Sequence, residues 1–338
     1  MDYIRFYGLT ARPFRLVPDP RFYFPSRAQR RALLALSAAL RSEGGLVLLT
    51  GGLGVGKTTL LHYLRAELGP GSVVAPELPG VPLGPEETLA AIARALDPER
   101  EPRPREGDPG RLPRVAAEDR RARLLVLDEA QTLGPEALAV LGELDRLGRG
   151  AERIRLVLVG RPRLVDVLAA PELARLRERI AGTCTLGPLE PGEIRLYLEH
   201  RLARVGWSGI PRFSEGACAA IHVLSGGRPR RVNLLCSRLL VLGALEGRRE
   251  FGVEDVETAA CELEPPFPGI ATSGTIDALA RSALACDSRA GPFPTGEDTA
   301  PARARPAERG RAHPLDRFAE AEVRARSRDD VEAEAPRG

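Results

Sequence analysis

The sequence contains almost no lysine. Its 338 residues include 49 lysines and arginines together, and Lys57 is the only lysine among them. Arginine therefore supplies the positive charge wherever a generic cation is enough. Lysine carries a compact ammonium, whereas arginine carries a wide planar fork. A lysine kept at a single position indicates a site that a guanidinium does not fit.

Other scarce features exclude whole classes of protein. The five cysteines show no C-x-x-C pair and no zinc-like spacing, which argues against a zinc site or a disulfide framework. No apolar run approaches 18 residues, so no membrane-spanning helix is predicted. The first residues lack the basic start and apolar stretch of a signal peptide. The formal net charge of only +3 gives no general field that would draw the chain to nucleic acid. We therefore expect a soluble, cytoplasmic protein.

The segment around Lys57, TGGLGVGKTTL at residues 50–60, matches the phosphate-binding loop G-x-x-x-x-G-K-[ST]. Glycines let the backbone wrap a phosphate with its N–H groups turned inward, and Lys57 reaches the β- and γ-phosphates inside that wrap. Thr58 supplies a hydroxyl for Mg²⁺. An apolar run at 45–50 precedes the loop and apolar residues at helical spacing follow it. This is the strand–loop–helix setting that the motif requires.

A second motif supplies the acidic partner of such a loop. The segment LLVLDEAQ at 124–131 is an apolar strand that ends in Asp128 and Glu129. Asp128 is suited to hold the Mg²⁺ shell, and Glu129 to polarise the water that attacks the γ-phosphate. Small-molecule kinases and GTPases seldom carry this consecutive acidic pair. The two motifs together favour an ATPase whose hydrolysis drives motion.

The apolar periodicity predicts an α/β fold followed by helices. Strands at 45–50, 73–75, 123–128 and 154–159 alternate with helices, which indicates a parallel sheet. From about Glu190 the strand patterns stop. Helical patterns then occupy 191–204, 214–224, 229–245 and 253–263. The predicted domains are an aromatic and proline-rich N-terminal segment at 1–25, an α/β nucleotide-binding domain at 26–189, a helical lid domain at 190–263, and a disordered charged tail at 264–338.

Two arginine clusters are candidates for contact with a bound nucleotide. They are PELARLRERI at 171–180 and SGGRPRRVNLL at 225–235. In a ring of identical subunits, one cluster could reach the neighbour's γ-phosphate and the other could act from the subunit's own lid. The alternative, that these arginines are ordinary surface residues, stays open, because a chain this rich in arginine places arginines over its whole surface.

With FYGLTARPFRLVPDPRFYF and RLVLVGRPRL added to these motifs, the sequence resembles the AAA+ ATPases of the general secretion pathway protein A (ExeA) type over about residues 3–263. The resemblance implies a P-loop NTPase (AAA+) fold, ATP and Mg²⁺ as cofactors, and an N-terminal segment that packs beside the adenine. It implies Asp128–Glu129 as Walker B, Arg179 as arginine finger and Arg230 as sensor 2. The implied Walker A residues are Gly51, Gly52, Leu53, Gly54, Val55, Gly56, Lys57, Thr58 and Thr59.

The chain departs from this family in several respects, two of which bear on function. Family members often carry Gly-Gln-Pro where this chain has Gly160, Arg161 and Pro162, so a cation stands at the sensor 1 position. ExeA-type proteins also continue into a transmembrane helix and a peptidoglycan-binding domain, and neither pattern occurs in these 338 residues. The family's role in building machinery through the cell wall is therefore carried over only weakly.

Three functions remain as hypotheses. The first is an AAA+ ATPase, a homo-oligomeric ring, that serves a secretion, pilus or polysaccharide-export apparatus through an unidentified protein partner. The second is a DNA-associated ATPase similar to transposition regulators of the TniB and IstB types, which the near-neutral charge does not favour. The third is a nucleotide-binding scaffold that hydrolyses little. The intact Lys57, Asp128 and Glu129 favour the first two over the third.

Overall fold

The described chain contains a five-stranded parallel sheet. The computed structural model describes residues 2–41, 46–68, 73–74, 84, 87–88, 90, 124–141 and 155–263. The sheet has the order β2-β3-β4-β1-β5, and every pairing in it is parallel. The predicted parallel α/β sheet is therefore confirmed. Its strands are β1 (Leu46–Gly51), β2 (Val73–Val74), β3 (Leu124–Leu127), β4 (Arg155–Gly160) and β5 (Ile180–Leu186).

Strand composition follows strand position. All six residues of β1, an inner strand, are buried, as expected for a parallel strand covered on both faces. In β5, which lies at one edge of the sheet, residues with exposed and half-buried side chains alternate up to Leu186. Apart from Arg155 and the residues at their carboxyl ends, the inner strands β1, β3 and β4 are apolar runs, whereas β5 is not.

One helix before β5 begins at a capping residue that the sequence shows. Ser26 predicts a helix to about Arg41, and the structure confirms it, since Ser26 Oγ accepts a hydrogen bond of 3.2 Å from the backbone N–H of Gln29. This is the N-cap arrangement that serine favours. The helices up to β5 are α1 (Tyr3–Phe6), α2 (Arg27–Arg41), α3 (Lys57–Leu68), α4 (Pro135–Leu141), α5 (Arg163–Leu168) and α6 (Ala174–Arg177). Short 3-10 helices cover Pro20–Phe22, Ala130–Thr132 and Pro171–Leu173.

One hydrophobic core lies on a single face of the sheet. Every second residue of a strand points to the same face of the sheet. In each of the strands β1, β3 and β4, the residues that belong to this core are two positions apart. Leucines of α4, α5 and α6 complete it. The strand members are Leu46, Leu48, Leu125, Leu127, Leu156 and Leu158, and the helical leucines are Leu138, Leu141, Leu164, Leu168 and Leu176. On β1 the remaining residues are also buried, and α2 and α3 pack against this strand.

Four longer helices follow the sheet. They are α7 (Glu193–Ala203), α8 (Glu215–Ser225), α9 (Pro229–Leu245) and α10 (Val253–Cys261), within two residues of the predicted ends. The structure adds two short strands, β6 (Arg212–Phe213) and β7 (Glu250–Phe251), which pair in parallel. Two residues are too few to show an alternating pattern, so no periodicity in the sequence predicts these strands.

The described chain divides into two compact units. The α/β unit comprises residues 14–189 and 228–234, and the helical unit comprises residues 2–13, 190–227 and 235–263. The segment predicted as one N-terminal piece, 1–25, is thus divided between residues 13 and 14. Its first part belongs to the helical unit, where Tyr7 Oη donates to the carbonyl of Arg248 at 3.0 Å and Arg201 Nε donates to the carbonyl of Pro13 at 2.8 Å.

The sequence also predicts a helix at 85–96 and an exposed loop at 97–114. Like the predicted charged tail at 264–338, both lie largely or wholly outside the described residues. Within the described part of the chain, no helix combines the length and the apolarity needed to span a bilayer.

Candidate functional site

The predicted site residues gather at one edge of the sheet. Parallel strands end at the same edge, and the register pairs Thr50 of β1 with Gly160 of β4 and Leu127 of β3 with Leu158 of β4. The loop after β1, the acidic pair after β3 and Arg161 after β4 therefore emerge side by side. This carboxyl edge is where open α/β sheets bind their ligands.

Lys57 lies inside the loop that follows β1. Its residue is 6% exposed, and its Nζ donates to the carbonyl oxygens of Gly51 at 3.0 Å and Gly52 at 3.2 Å. Burial lowers the pKa of the Lys57 ammonium, while the nearby carboxylates of Glu129 and Asp128 act in the opposite direction. The ammonium thus faces the interior of the loop, where the motif places phosphate oxygens.

A hydroxyl and a carboxylate suited to a hard cation lie in contact. Thr58 Oγ1 donates to Asp128 Oδ2 at 2.8 Å, and the other carboxylate oxygen of Asp128 accepts from the backbone N–H of Glu129 at 2.8 Å. Among the described residues, no group of three or more His, Cys, Asp and Glu side chains could hold a metal ion. Nucleotide-bound Mg²⁺ needs only one or two protein oxygens, because phosphates and waters fill the rest of its shell. Thr58 and Asp128 fit that requirement.

Glu129 has an unusual backbone and a restrained carboxylate. Its φ of 51° is the only positive value for a non-glycine residue in the described chain, and such conformations concentrate at functional sites. Its Oε2 accepts a hydrogen bond from Gln131 Nε2 and lies 3.5 Å from Arg161 Nε. The carboxylate predicted to activate water is therefore held by two neighbours.

Two glutamines of the site were missed by the sequence reasoning. Gln131 donates to Glu129 and also accepts, through Oε1, a 3.0 Å hydrogen bond from the backbone N–H of Arg161. Gln29 of α2 is buried, and its Nε2 would lie 2.9 Å from a Cβ placed on Gly56. The sequence contains a signal for Gln131, since it is the last residue of the motif LLVLDEAQ at 124–131. For Gln29 no motif in the sequence points to the loop.

The backbone and the first side-chain carbons of Arg230 lie against the loop. Its N–H donates to the carbonyl of Gly54 at 3.1 Å. Gly54 has a φ of +76°, and a Cβ there would approach Arg230 Cβ to 2.8 Å. A glycine at position 54 therefore satisfies both the loop conformation and the close approach of α9. The predicted sensor 2 role of Arg230 stays a prediction.

Arg179 does not lie at this edge. It precedes the first residue of β5, and β5 begins level with the start of β1, since Ile180 pairs with Leu46. The loop around Lys57 follows the other end of β1. Six residues of strand span roughly 20 Å at about 3.3 Å per residue. Arg179 and Lys57 are thus at opposite edges of the same sheet.

The neighbouring Arg177 has a structural role. Its Nη1 donates to the carbonyl of Leu168 at 2.9 Å and to that of Ala170 at 3.3 Å. These carbonyls end α5 and the turn after it, so the guanidinium satisfies acceptors that a helix end leaves open. As a candidate for contact with a neighbouring nucleotide, Arg177 is weaker than the sequence alone indicated.

The second part of the aromatic segment packs beside the loop's helix. Tyr23 stacks on Tyr63 of α3, with ring centroids 3.9 Å apart and an interplanar angle of 12°. The 3-10 helix Pro20–Phe22 also packs on α3. Residues 20–23 thus lie against the helix that starts at Lys57. Contact of this segment with adenine stays a prediction.

Comparison with known proteins agrees with this geometry. Residues 40–168 match the family model described as an AAA domain. General secretion pathway protein A of Aeromonas hydrophila is 33% identical over 285 residues, which cover 81% of this chain and 50% of that protein. The chain therefore spans about half the length of the curated relative that it matches. This similarity confirms the resemblance predicted from the sequence.

Solved structures support the same fold. Cdc6p of Pyrobaculum aerophilum is similar with a TM-score of 0.58 and 22% identity, over 78% of this chain and 73% of that one. The ORC1 protein of Aeropyrum pernix, solved in complex with DNA, gives a TM-score of 0.52 and 22% identity, over 76% and 70%. At such identities the likeness shows the fold alone. Together with the family match, it establishes that this chain carries an AAA domain on the P-loop NTPase fold.

Proposed function

We propose that this protein binds ATP with Mg²⁺ and hydrolyses it, and that the cycle drives a conformational change. One observation carries the proposal. The chain's only lysine is buried in a phosphate-binding loop, and the carboxylates of Asp128 and Glu129 lie close enough to affect its pKa. An ammonium and two carboxylates gathered at the ligand-binding edge of a parallel sheet are the groups that phosphoryl transfer requires.

Each residue has a separate task in this proposal. Lys57 exchanges its two carbonyl partners for phosphate oxygens and stabilises their charge. Thr58 and Asp128 would hold Mg²⁺, which when bound helps to neutralise charge on the phosphates. Glu129 accepts a hydrogen bond from Gln131, and in catalysis it would accept one from the attacking water.

The completed site would require a second subunit. The α/β unit places Arg179 at the amino edge of its own sheet, so this side chain is too far from its own loop to act there. A guanidinium supplied by a neighbouring copy would neutralise charge that develops on the γ-phosphate. We therefore propose a homo-oligomer, arranged as a ring, in which Arg179 acts on the next subunit.

A pair of arginine variants tests this shared site. Arg179→Ala should bind ATP normally and hydrolyse it more slowly by a factor on the order of 10³. Arg177→Ala is the matched control, because it removes a neighbouring arginine that caps α5, and it should lower thermal stability while sparing turnover. Mixing Arg179→Ala with Glu129→Gln should restore some activity, because a mixed interface can pair an intact Glu129 with an intact Arg179. Specific activity that is unchanged in Arg179→Ala and flat on dilution would refute the shared site.

The process that the ATPase serves is proposed from similarity. The match to general secretion pathway protein A favours a secretion, pilus or polysaccharide-export apparatus, reached through a protein partner on the cytoplasmic side, where ATP is available. ATPase assays with and without duplex DNA at several salt concentrations test this. Contact with DNA phosphates would stimulate turnover at low salt, and the stimulation would fade as salt rises. Such a salt-dependent stimulation would instead support a DNA-associated ATPase.

A further inference from the structure

The side-chain amide of Gln131 is hydrogen-bonded at both ends. Its Nε2 donates to Glu129 Oε2, and its Oε1 accepts from the backbone N–H of Arg161 at 3.0 Å. We propose that Gln131 is a positioning residue, which fixes the Glu129 carboxylate for attack on the γ-phosphate. This inference rests on the proposed ATPase function and adds to it a residue with a defined task.

The Gln131 amide links the carboxylate of Glu129 to the end of strand β4. Glu129 lies in the turn after β3, so its own backbone does not fix its carboxylate relative to the loop around Lys57. The N–H of Arg161 follows directly on β4, which is hydrogen-bonded between β1 and β3. The Gln131 amide is hydrogen-bonded to that N–H, and it therefore fixes Glu129 Oε2 relative to the sheet. Catalytic groups depend on such support, since small displacements of a reacting group reduce rates strongly.

A neighbouring glycine makes room for the bridge. A Cβ on Gly160 would lie 2.5 Å from Gln131 Oε1 and 2.8 Å from a Leu164 methyl carbon. Every other residue type would displace the amide or the leucine. The absence of a side chain at position 160 is therefore what lets Gln131 reach the N–H of Arg161.

The guanidinium of Arg161 contributes less to this arrangement. Its Nε is 3.5 Å from Glu129 Oε2, and the two side chains are 51% and 38% exposed. Ion pairs this exposed are weak and are screened by salt, whereas a hydrogen bond to a carboxylate is directional and stronger. The amide of Gln131, which approaches from the turn after β3, therefore restrains the carboxylate of Glu129 more than the guanidinium does.

Two substitutions at position 131, each with a side chain close to glutamine in size, test whether Gln131 positions Glu129 or only ties β3 to β4. Gln131→Leu removes both hydrogen bonds. Gln131→Glu keeps an acceptor for the N–H of Arg161, but replaces the donor to Glu129 with a negative charge that repels it. If Gln131 only ties β3 to β4, the Glu variant should behave as the wild type. If Gln131 positions Glu129, both variants should lose kcat, by a factor on the order of 10 to 100, with KM and ATP affinity changed less than about threefold.

A double variant tests whether Gln131 acts through Glu129. In the Glu129→Gln background, Gln131→Leu should lower kcat no further, because the group that it positions is already disabled. The inference would be overturned if Gln131→Leu lowered kcat as much in the Glu129→Gln background as in the wild type. It would also be overturned by a wild-type kcat in Gln131→Glu, or by a loss of ATP affinity that parallels the loss of kcat. Thermal melting of every variant shows which of them fold. Absence of turnover in the wild type would refute the proposed function, whereas turnover that the Gln131 variants leave unchanged would refute only the role of Gln131.

Discussion

The two sides of the candidate site are built in different ways. The loop after β1 is shaped by its backbone, with glycine at position 54 in a left-handed conformation and carbonyls of Gly51 and Gly52 that hold Lys57. The acidic end of β3 is shaped by side chains, since Glu129 is held by Gln131 and approached by Arg161. A backbone-built half is specified by a short stretch of sequence. A half built from side chains depends on residues that other strands bring near.

This difference predicts separate consequences for the two halves. Changes in the loop should alter nucleotide binding or folding, whereas changes at the acidic end should alter turnover while binding is retained. A variant of either half that produces the other half's effect would break the comparison.

The largest effect is expected at the acidic end. Glu129→Gln removes the carboxylate that would accept a proton from water and keeps nearly the same shape. Turnover should fall by about 10²- to 10⁴-fold, the usual contribution of a general base, and ATP affinity should stay within about threefold, since Lys57 supplies the binding. Steady-state ATPase assays and nucleotide titration measure the two quantities. Glu136→Gln, an exposed acid on α4, is the matched control and should leave both unchanged.

A smaller but distinct effect is expected in the loop. Lys57→Arg keeps the charge but puts a planar guanidinium where the compact ammonium is buried. Losing its charge-assisted hydrogen bonds should weaken ATP binding on the order of 100-fold, because such a bond contributes up to about 3 kcal/mol. Calorimetric or fluorescence titration with ATP measures this. Arg65→Lys, which introduces a lysine on the exposed side of the same helix, controls for the general effect of exchanging the two cations. Wild-type affinity in Lys57→Arg would contradict the role assigned to the chain's only lysine.

The smallest effect concerns the loop backbone in the absence of nucleotide. Gly54→Ala forces a side chain into a left-handed conformation, which costs about 1–2 kcal/mol, and its Cβ would meet Arg230 Cβ at 2.8 Å. Gly52→Ala is the control, since a Cβ there meets only a Val55 methyl carbon at an ordinary 3.7 Å. Denaturant unfolding should show lower stability for Gly54→Ala alone. Equal stability of the two variants would show that the loop relaxes at no cost and is not defined by its backbone.

The sequence was sufficient for the parts of the site that are local. The loop motif, the apolar strand before it and the helix after it lie within some two dozen residues, so their spacing alone predicts their geometry. The pair Asp128–Glu129 was found in the same way, at the end of an apolar strand. Long inner strands and helices were also predictable, because their apolar periodicity extends over enough residues to be recognised.

The parts that were missed depend on contacts between distant residues. Gln131 meets the N–H of Arg161 across 30 positions of sequence, and that contact exists only because β3 and β4 are neighbours in the right register. The strands β6 and β7 pair across 38 positions and are too short to show a pattern. Arg177 and Arg179 look alike in sequence, and their difference appears only when Arg177 is seen bound to the carbonyls that end α5.

By itself, then, the sequence determined that this chain has a phosphate-binding loop motif built around its only lysine, an acidic pair beside it and a parallel α/β framework. These depend on backbone conformation and periodic burial, which short segments encode. The tertiary structure decided which arginines lie at the site and which lie at the opposite edge, and that an amide from one strand's turn supports the carboxylate beside the loop. Strand order and register set those distances, and no local segment encodes them.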